Sequence, residues 1–385
     1  MDSNQRSIAA QVPMMTADQL LKAPGAVVID LRTPAEFAVD HLPGAVNVPL
    51  LSDEGRALVG LLYSQHSPEE AFSEGRELVT QRVEALVAEI AGHVGWEPPK
   101  VDLAKRVREM TAAGIAAMER DLAPEALDLD LERPVVLHCW RGGLRSRSVV
   151  ALMRSLGLER AVGLFEGYRA YRARVIQELA AFQSPPAFAL RGLTGVGKTL
   201  VLREIERLRP SWTIDLEGCA GHRSSLLGMV GLQPVSQKEF DTNLAARVRA
   251  GFDGPVVYEG ESRKVGDVII PGPMWAALQG ATNIELTASP EVRGRVLMED
   301  YLARPEARPK LREQLEALEA RMDGTHDLPR LLDERREAEL VQVLLEHYYD
   351  PLYRRSEKGK QYAASFDVQD PVLSAAEVVA WIEAQ

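Results

Sequence analysis

Residues 192–199 of this 385-residue chain read GLTGVGKT, a glycine-rich run that ends in Lys-Thr. An apolar segment, residues 187–190, comes directly before it, and an amphipathic segment begins at residue 200. A strand, a glycine-rich turn and a helix in this order form a loop whose backbone N–H groups surround phosphate groups. The run therefore predicts an α/β domain in the second half of the chain, built around a phosphate-binding loop.

The residue types of this loop have separate physical roles. The glycines let the backbone approach a polyphosphate, the Lys198 ammonium neutralises phosphate charge, and the Thr199 hydroxyl is suited to Mg²⁺, which we expect as a cofactor. The motif does not define what is attached to the phosphates, so a nucleotide and a non-nucleotide pyrophosphate both stay open. The predicted diphosphate-binding residues are Gly192, Thr194, Gly195, Gly197, Lys198 and Thr199.

A second motif, residues 138–146 (HCWRGGLRS), places one of the two cysteines in a loop rich in glycine and arginine. The loop lies between a predicted strand, residues 134–138, and a predicted helix, so backbone N–H groups converge on one point. Such a turn stabilises a thiolate and binds an anion. We therefore predict that Cys139 is a nucleophile and that Arg141 and Arg145 lower its pKa and hold an anionic donor. The loop length leaves phosphatase chemistry open.

The length of the chain indicates two domains. Consecutive prolines at 185 and 186 interrupt regular structure, so the predicted domains are residues 1–183 and 184–385. Long helical periodicity over about residues 58–123 predicts a helical insertion in the first domain. Short apolar runs predict the strands, and the chain beyond residue 290 is predicted to be mostly helical. Predicted strands lie at residues 27–32, 134–138, 161–164, 187–190, 212–215, 256–259 and 283–286.

Polar segments, expected to be loops, follow the predicted strands at residues 212–215 and 256–259. In an open α/β sheet, the carboxyl ends of the strands line the ligand crevice. Asp215 and Glu259 are the strand-end acids that could hold a metal ion. The residues predicted to contribute to this second-domain site are Asp215, Glu217, His222, Arg223, Glu259, Glu261, Ser262 and Arg263.

The net charge of −11 argues against nonspecific binding of nucleic acid by the whole surface. Residues 141–174 reverse this balance locally, because they contain eight arginines and two acids. No apolar run approaches the ~20 residues that span a bilayer, so no membrane partner is expected. Residues 1–6 lack the pattern of a signal peptide, so a cytoplasmic protein is expected.

Several segments resemble known families. Residues 30–37 (DLRTPAEF) and 41–49 (HLPGAVNVP) resemble the N-terminal signature of rhodanese domains. With the cysteine loop, a helix start at residues 62–66 (LYSQH), and the segments LEG at 216–218 and ESR at 261–263, the whole chain resembles bacterial tRNA 2-selenouridine synthases. The resemblance implies an N-terminal rhodanese-like domain with a helical insertion, followed by a P-loop NTPase-like α/β domain with a helical C-terminal region.

The same resemblance implies two reactions at the wobble uridine of the tRNAs for Lys, Glu and Gln. Geranyl diphosphate alkylates the 2-thio group, and the S-geranyl intermediate then becomes 2-selenouridine with selenophosphate as donor. The phosphate loop would bind the diphosphate, and Cys139 would accept or deliver selenium as a transient Cys–S–Se⁻. The alternatives are a rhodanese-fold phosphatase or sulfurtransferase fused to an NTP-binding domain, and a noncatalytic sensor switched by nucleotide.

The resemblance also implies that tRNA is the partner of the arginine-rich residues 141–174. The arginines of this stretch would contact tRNA phosphates, and one of its tyrosines would stack on an unpaired anticodon base. An amphipathic helix with a solvated basic side is the alternative. The residues predicted to bind tRNA are Arg154, Tyr168, Arg169, Tyr171, Arg172 and Arg174.

Overall fold

A computed structural model describes residues 11–126, 132–322 and 324–385, with the side chains of residues 355 and 356 left aside. The chain divides into two compact units, Met1–Ile176 and Gln177–Gln385. This division falls inside a helix, whereas the sequence-based boundary follows residue 183. Residues 1–6, on which the expectation of a cytoplasmic protein rests, lie outside the described ranges.

Unit 1 contains a parallel sheet whose strands are β1 (Val12–Met15), β2 (Val27–Asp30), β3 (Val46–Asn47), β4 (Pro124–Ala126), β5 (Val135–His138) and β6 (Ala161–Leu164). Within the described residues, the strands lie side by side in the order β3-β2-β5-β6-β1-β4. The central strands are apolar and buried on both faces, as parallel strands between helical layers must be. The strands predicted in unit 1 are confirmed as β2, β5 and β6.

The helices of unit 1 are α1 (Ala17–Lys22), α2 (Pro34–Val39), α3 (Asp53–Gln65), α4 (Pro68–Val94), α5 (Leu103–Thr111), α6 (Ile115–Asp121), α7 (Leu144–Ser155) and α8 (Gly167–Ala180). Helices α3 to α6 form the helical insertion, which begins slightly before the predicted start. Residues 62–66 are not a helix start, because α3 begins after its N-cap Ser52 and His66 is its C-cap. Buried residues of α4 join the core of the sheet.

Unit 2 contains the strands β7 (Ala187–Arg191), β8 (Thr213–Ile214), β9 (Val256–Glu259), β10 (Lys264–Val265), β11 (Val268–Ile269), β12 (Thr282–Thr287) and β13 (Ala364–Asp367). In the described part of the chain, its parallel sheet has the order β13-β12-β7-β9-β8, and β10 and β11 pair as a hairpin. The strands predicted in this unit are confirmed as β7, β8, β9 and β12. The edge strand β13 was missed because only one face of it is partly buried.

The helices of unit 2 are α9 (Lys198–Leu208), α10 (Leu216–Ala220), α11 (Gln237–Ala250), α12 (Gly272–Gly280), α13 (Pro290–Leu302), α14 (Arg308–Glu319), α15 (Leu328–Asp333), α16 (Glu337–Val343), α17 (Asp350–Glu357) and α18 (Pro371–Glu383), with a 3-10 turn at Pro305–Ala307 and a π-helical segment at Leu344–Tyr349. Helix α10 replaces the start of the loop that was expected after β8. Helices α13 to α16 and the π-helical segment enclose an apolar core of their own. Across the described residues, no helix has the length and apolarity that crossing a membrane requires.

Candidate functional site

Cys139 lies in the loop that joins β5 to the N-terminus of α7. The loop contacts the start of α8, where the N–H groups of Tyr168 and Arg169 donate to the carbonyl oxygens of Cys139 and Trp140, both at 3.0 Å. Gly142 has a φ of +62°, and a Cβ there would lie 2.5 Å from the carbonyl oxygen of Leu164. The tight turn therefore requires glycine at this position.

The Cys139 thiol is buried, and its Sγ lies 3.3 Å from the Ser146 Oγ. Burial by itself raises the pKa of this thiol, but the Arg145 charge, the Ser146 hydroxyl and the N–H groups of Arg141 and Ser146 together hold the pKa below its usual value. The loop thus stabilises a thiolate, as expected for a nucleophile. Of the two arginines singled out in the sequence, Arg145 contributes its charge and Arg141 its backbone N–H.

A buried polar network lies next to the cysteine loop and includes Tyr168, whose N–H donates to the carbonyl oxygen of Cys139. The Arg32 guanidinium pairs with Asp30 at 2.6 Å and donates to the carbonyl oxygen of Asp40 at 2.8 Å. It also lies 3.9 Å from the ring centre of Tyr168, whose hydroxyl donates to the Asp40 carboxylate at 2.5 Å. The segment around residue 30 and the start of α8 are therefore fixed to each other.

The burial of Tyr168 and Tyr171 contradicts the prediction that one of these rings stacks on an anticodon base. Tyr168 is 1% exposed and Tyr171 is fully buried, so neither ring can stack on a nucleic acid base in this fold. Both rings lie on the inner side of α8, where they pack against each other with centroids 6.5 Å apart. The sequence pattern could not separate this inner side from the solvent side, because arginines and tyrosines alternate along the helix.

The predicted tRNA-binding arginines divide into two groups. Arg154 is occupied within the fold, since its guanidinium donates to the carbonyl oxygens of Glu159 and Ala161. Arg169 and Arg174 are exposed on α8 and form ion pairs with Glu166 and Asp18, respectively. Arg172 is half-buried on the same helix. Arg141 is exposed in the cysteine loop itself, so the unit presents cationic groups at the loop and along α8.

The phosphate loop of unit 2 connects β7 to α9, as its sequence predicts. Gly192 has a φ of +138°, and a Cβ there would lie 2.2 Å from the carbonyl oxygen of Leu286. The Lys198 ammonium donates to the carbonyl oxygens of Gly192 and Leu193, at 2.9 and 3.3 Å. It therefore lies inside the curve of the loop, and the N-terminus of α9 faces the same space.

Three acids from two separate segments of the chain meet beside this loop. Glu217, Glu259 and Glu261 each offer a carboxylate oxygen, and these oxygens lie within 4.8 Å of one another. Burial and the neighbouring Glu261 charge raise the pKa of Glu217 to about 8. Burial and the charge of Glu217 also raise the pKa of Glu259 well above its usual value. The Thr199 hydroxyl donates to Glu217 at 3.4 Å, which brings the loop and the acids together.

The other residues predicted for this site lie around it rather than in it. Asp215 is the N-cap of α10 and accepts from the Gly218 N–H at 2.6 Å. The His222 ring lies against the backbone of Gly228 and Gly266. Ser262 and Arg263 are exposed, and the Ser262 hydroxyl donates to the backbone of its own loop. Of the predicted set, Glu217, Glu259, Glu261 and Arg223 are at the site.

A cavity of about 390 Å³ lies above the phosphate loop and the acids. Its far wall comes from α13, the residues that follow it and α17, and includes Asp300, Arg304 and Tyr353. Arg203 of α9 and Arg223 add positive charge to the lining. Arg203, Asp300, Arg304 and Tyr353 were not predicted, because their positions belong to no motif. For the last three, the dense charge of the helical C-terminal region was the available signal.

Comparisons with known proteins assign both units. Residues 185–385 match the family model described as the tRNA 2-selenouridine synthase AAA domain, and residues 15–80 match the rhodanese-like domain. The match confirms a rhodanese-like unit followed by a P-loop-like α/β unit.

Curated relatives cover most of the chain. A tRNA 2-selenouridine synthase of Cupriavidus necator is 31% identical over 88% of this chain and 90% of its own length. A tRNA 2-selenouridine synthase of Cupriavidus pinatubonensis is 28% identical over 87% of this chain and 90% of its own length. A tRNA 2-selenouridine synthase of Hydrogenovibrio crunogenus is 28% identical over 90% of this chain and 94% of its own length. This chain therefore belongs to the tRNA 2-selenouridine synthase family.

Proposed function

We propose that this protein modifies tRNA by replacing the sulfur of a wobble 2-thiouridine with selenium, through an S-geranyl intermediate. Its family makes it a tRNA-modifying enzyme. The observation that carries the finer proposal is the Cys139 loop, whose Arg145 charge, Ser146 hydroxyl and backbone N–H groups lower the pKa of the thiol, in the same chain as a phosphate loop with clustered acids. The tRNAs for Lys, Glu and Gln are the proposed substrates.

In the first step, the phosphate loop binds the diphosphate of geranyl diphosphate. A bond forms between the 2-thio sulfur and C1 of the geranyl group, while the bond from C1 to the diphosphate oxygen breaks and N3 of the base releases its proton to solvent. The backbone N–H groups of the loop and the Lys198 ammonium stabilise the charge that develops on the departing diphosphate. Arg203 and Arg223 in the cavity lining add to this positive field.

The acid cluster is chemically suited to Mg²⁺. Carboxylate and hydroxyl oxygens are the ligands that Mg²⁺ prefers, and Glu217, Glu259, Glu261 and Thr199 supply them. Within the described residues, neither carboxylate oxygen of Glu259 forms a hydrogen bond. The nearby Thr199 hydroxyl acts to lower the pKa of Glu259, but burial and the neighbouring acids outweigh it. A buried acid in this state lacks a counter-charge. When bound, Mg²⁺ would supply that charge and help the diphosphate to leave.

In the second step, alkylation has made the sulfur a competent leaving group at C2. A perselenide on Cys139 would require the phosphorus of selenophosphate to be reduced, so we assign the thiolate a different role. Cys139 adds to C2 and displaces geranylthiol, and the selenium of selenophosphate then displaces Cys139. Water cleaves the Se–P bond to give 2-selenouridine and phosphate. Arg141 and Arg145 would attract the selenophosphate anion.

Nucleoside mass spectrometry tests both steps. A tRNA that contains 2-thiouridine is incubated with geranyl diphosphate, with and without selenophosphate, and with wild type, Cys139→Ala or Lys198→Ala. We expect Cys139→Ala to geranylate without incorporating selenium and Lys198→Ala to lose geranylation. If wild type leaves the wobble base unchanged in both mixtures, the proposal is wrong.

The alternative is a rhodanese-fold phosphatase or sulfurtransferase fused to an NTP-binding domain, and the spacing between Cys139 and Arg145 leaves the phosphatase chemistry open. That protein would release phosphate from phosphoesters, or transfer sulfur to a small acceptor, without tRNA. It would do so in wild type and not in Cys139→Ala. The same protein preparations can be assayed for these reactions in parallel.

A further inference from the structure

Unit 1 contains an apolar cavity of about 220 Å³ between the helical insertion and α7. Its wall is made by side chains of α3 to α7, among them Val59, Phe72, Met110, Ile115 and Leu144. An apolar space of this size forfeits packing contacts and costs stability when it is empty. An apolar occupant would restore those contacts.

The wall of the cavity offers few polar partners. The Thr111 hydroxyl donates to the carbonyl oxygen of Val107 at 2.8 Å, and the Ser148 hydroxyl donates to that of Arg145 at 3.2 Å. Both hydroxyls are therefore satisfied within their own helices. The cavity is about half again as large as the ~150 Å³ apolar cavity that holds benzene. Its size and surface fit a hydrocarbon chain rather than a base or a sugar.

Arg145 connects this cavity to the cysteine loop. Its side chain lines the cavity, and its charge helps to lower the pKa of the Cys139 thiol. Leu144 lines the cavity from the first position of α7, directly after the glycines of the loop. A chain that fills the cavity thus ends beside the residues that surround the thiol.

We infer that this cavity binds the hydrocarbon chain of the S-geranyl intermediate during the second step. The inference rests on the proposed function and adds a specificity device to it. The alkylated base gains apolar burial that the unmodified 2-thiouridine cannot gain. The cavity therefore selects the base whose sulfur can leave, and it holds the chain of the geranylthiol as that group departs.

Two ribonucleosides, S-geranyl-2-thiouridine and S-methyl-2-thiouridine, test the inference by calorimetric titration of the full chain. We expect wild type to bind the geranyl compound at least about tenfold more tightly. Val59→Trp and Met110→Trp fill the cavity from two different helices and should each remove this preference. Leu58→Trp is the matched control, because Leu58 is the neighbour of Val59 on α3, is 41% exposed and does not line the cavity.

The outcomes separate this inference from the proposed function. Equal affinity of wild type for the two nucleosides overturns the cavity assignment without any variant. Selenation of geranylated tRNA by Val59→Trp at the wild-type rate also overturns it, and leaves the proposed function intact. A geranyl preference that both Val59→Trp and Met110→Trp remove and Leu58→Trp keeps supports the assignment, even if wild type leaves tRNA unmodified and the proposed function fails.

Discussion

The Sγ of Cys139 lies 3.3 Å from the Oγ of Ser146, at the first turn of α7. This contact joins the thiol to the N-terminus of α7, and the Arg145 charge adds to the positive field of that helix end. The environment favours the thiolate in spite of burial.

Arg145→Ala should raise the pKa of the Cys139 thiol, because the variant keeps the burial and loses the largest opposing effect. The thiolate should then form at higher pH than in wild type, and the thiolate fraction at neutral pH should fall several-fold. The ultraviolet absorbance of the thiolate, followed against pH, measures this change. Cys139→Ala gives the baseline, since burial raises the pKa of Cys219 to about 12. Identical titrations of wild type and Arg145→Ala would contradict the prediction.

Mg²⁺ should stabilise the full chain against thermal unfolding, and Glu259→Gln should abolish that increment. At a Mg²⁺ concentration one hundred times its Kd, the stabilisation should be about 2.7 kcal/mol. Without Mg²⁺, Glu259→Gln should unfold at a higher temperature than wild type, because it removes a buried acid without a counter-charge. Asp215→Asn is the control, since Asp215 lies outside the cluster and asparagine also caps a helix. Loss of the Mg²⁺ increment in the control instead would place the metal elsewhere.

Tyr168→Phe should destabilise the protein by about 1–3 kcal/mol, because a buried carboxylate of Asp40 loses a hydrogen-bond donor. Urea denaturation measures the change in the free energy of unfolding. Affinity for tRNA, measured under native conditions, should stay at the wild-type value because the Tyr168 side chain is buried. A large loss of affinity with unchanged stability would instead favour a role in stacking.

Arg169→Ala combined with Arg174→Ala should weaken tRNA binding and reduce its salt dependence. Each lost phosphate contact should lower the slope of log affinity against log salt by roughly 0.7–0.9. Filter binding over a series of salt concentrations measures the slope. Arg312→Ala removes an arginine of similar exposure from α14 and serves as the control. A slope equal to that of wild type would mean that these arginines form a solvated side of α8 and do not contact tRNA.

The amino-acid sequence by itself determined the local elements. The strands β2, β5, β6, β7 and β9 follow from short apolar runs, because a parallel strand is buried on both faces. The phosphate loop follows from glycine and lysine spacing, and α2 follows from the cap Thr33 with Pro34 behind it. Each of these signals lies within about ten residues, so each element can be predicted from one short stretch of the chain.

Only the tertiary structure decided which side chains meet and which are buried. Glu217 and Glu259 form one cluster although Glu259 ends β9 and Glu217 lies in α10 after β8, and Asp215, equally suited by sequence, became a helix cap instead. Tyr168 and Tyr171 face the core because of the rotation of α8, which no local pattern shows. The apolar cavity arises where helices of the insertion leave space beside α7. Burial and proximity are properties of packing between distant segments, so they become visible only when the chain is folded.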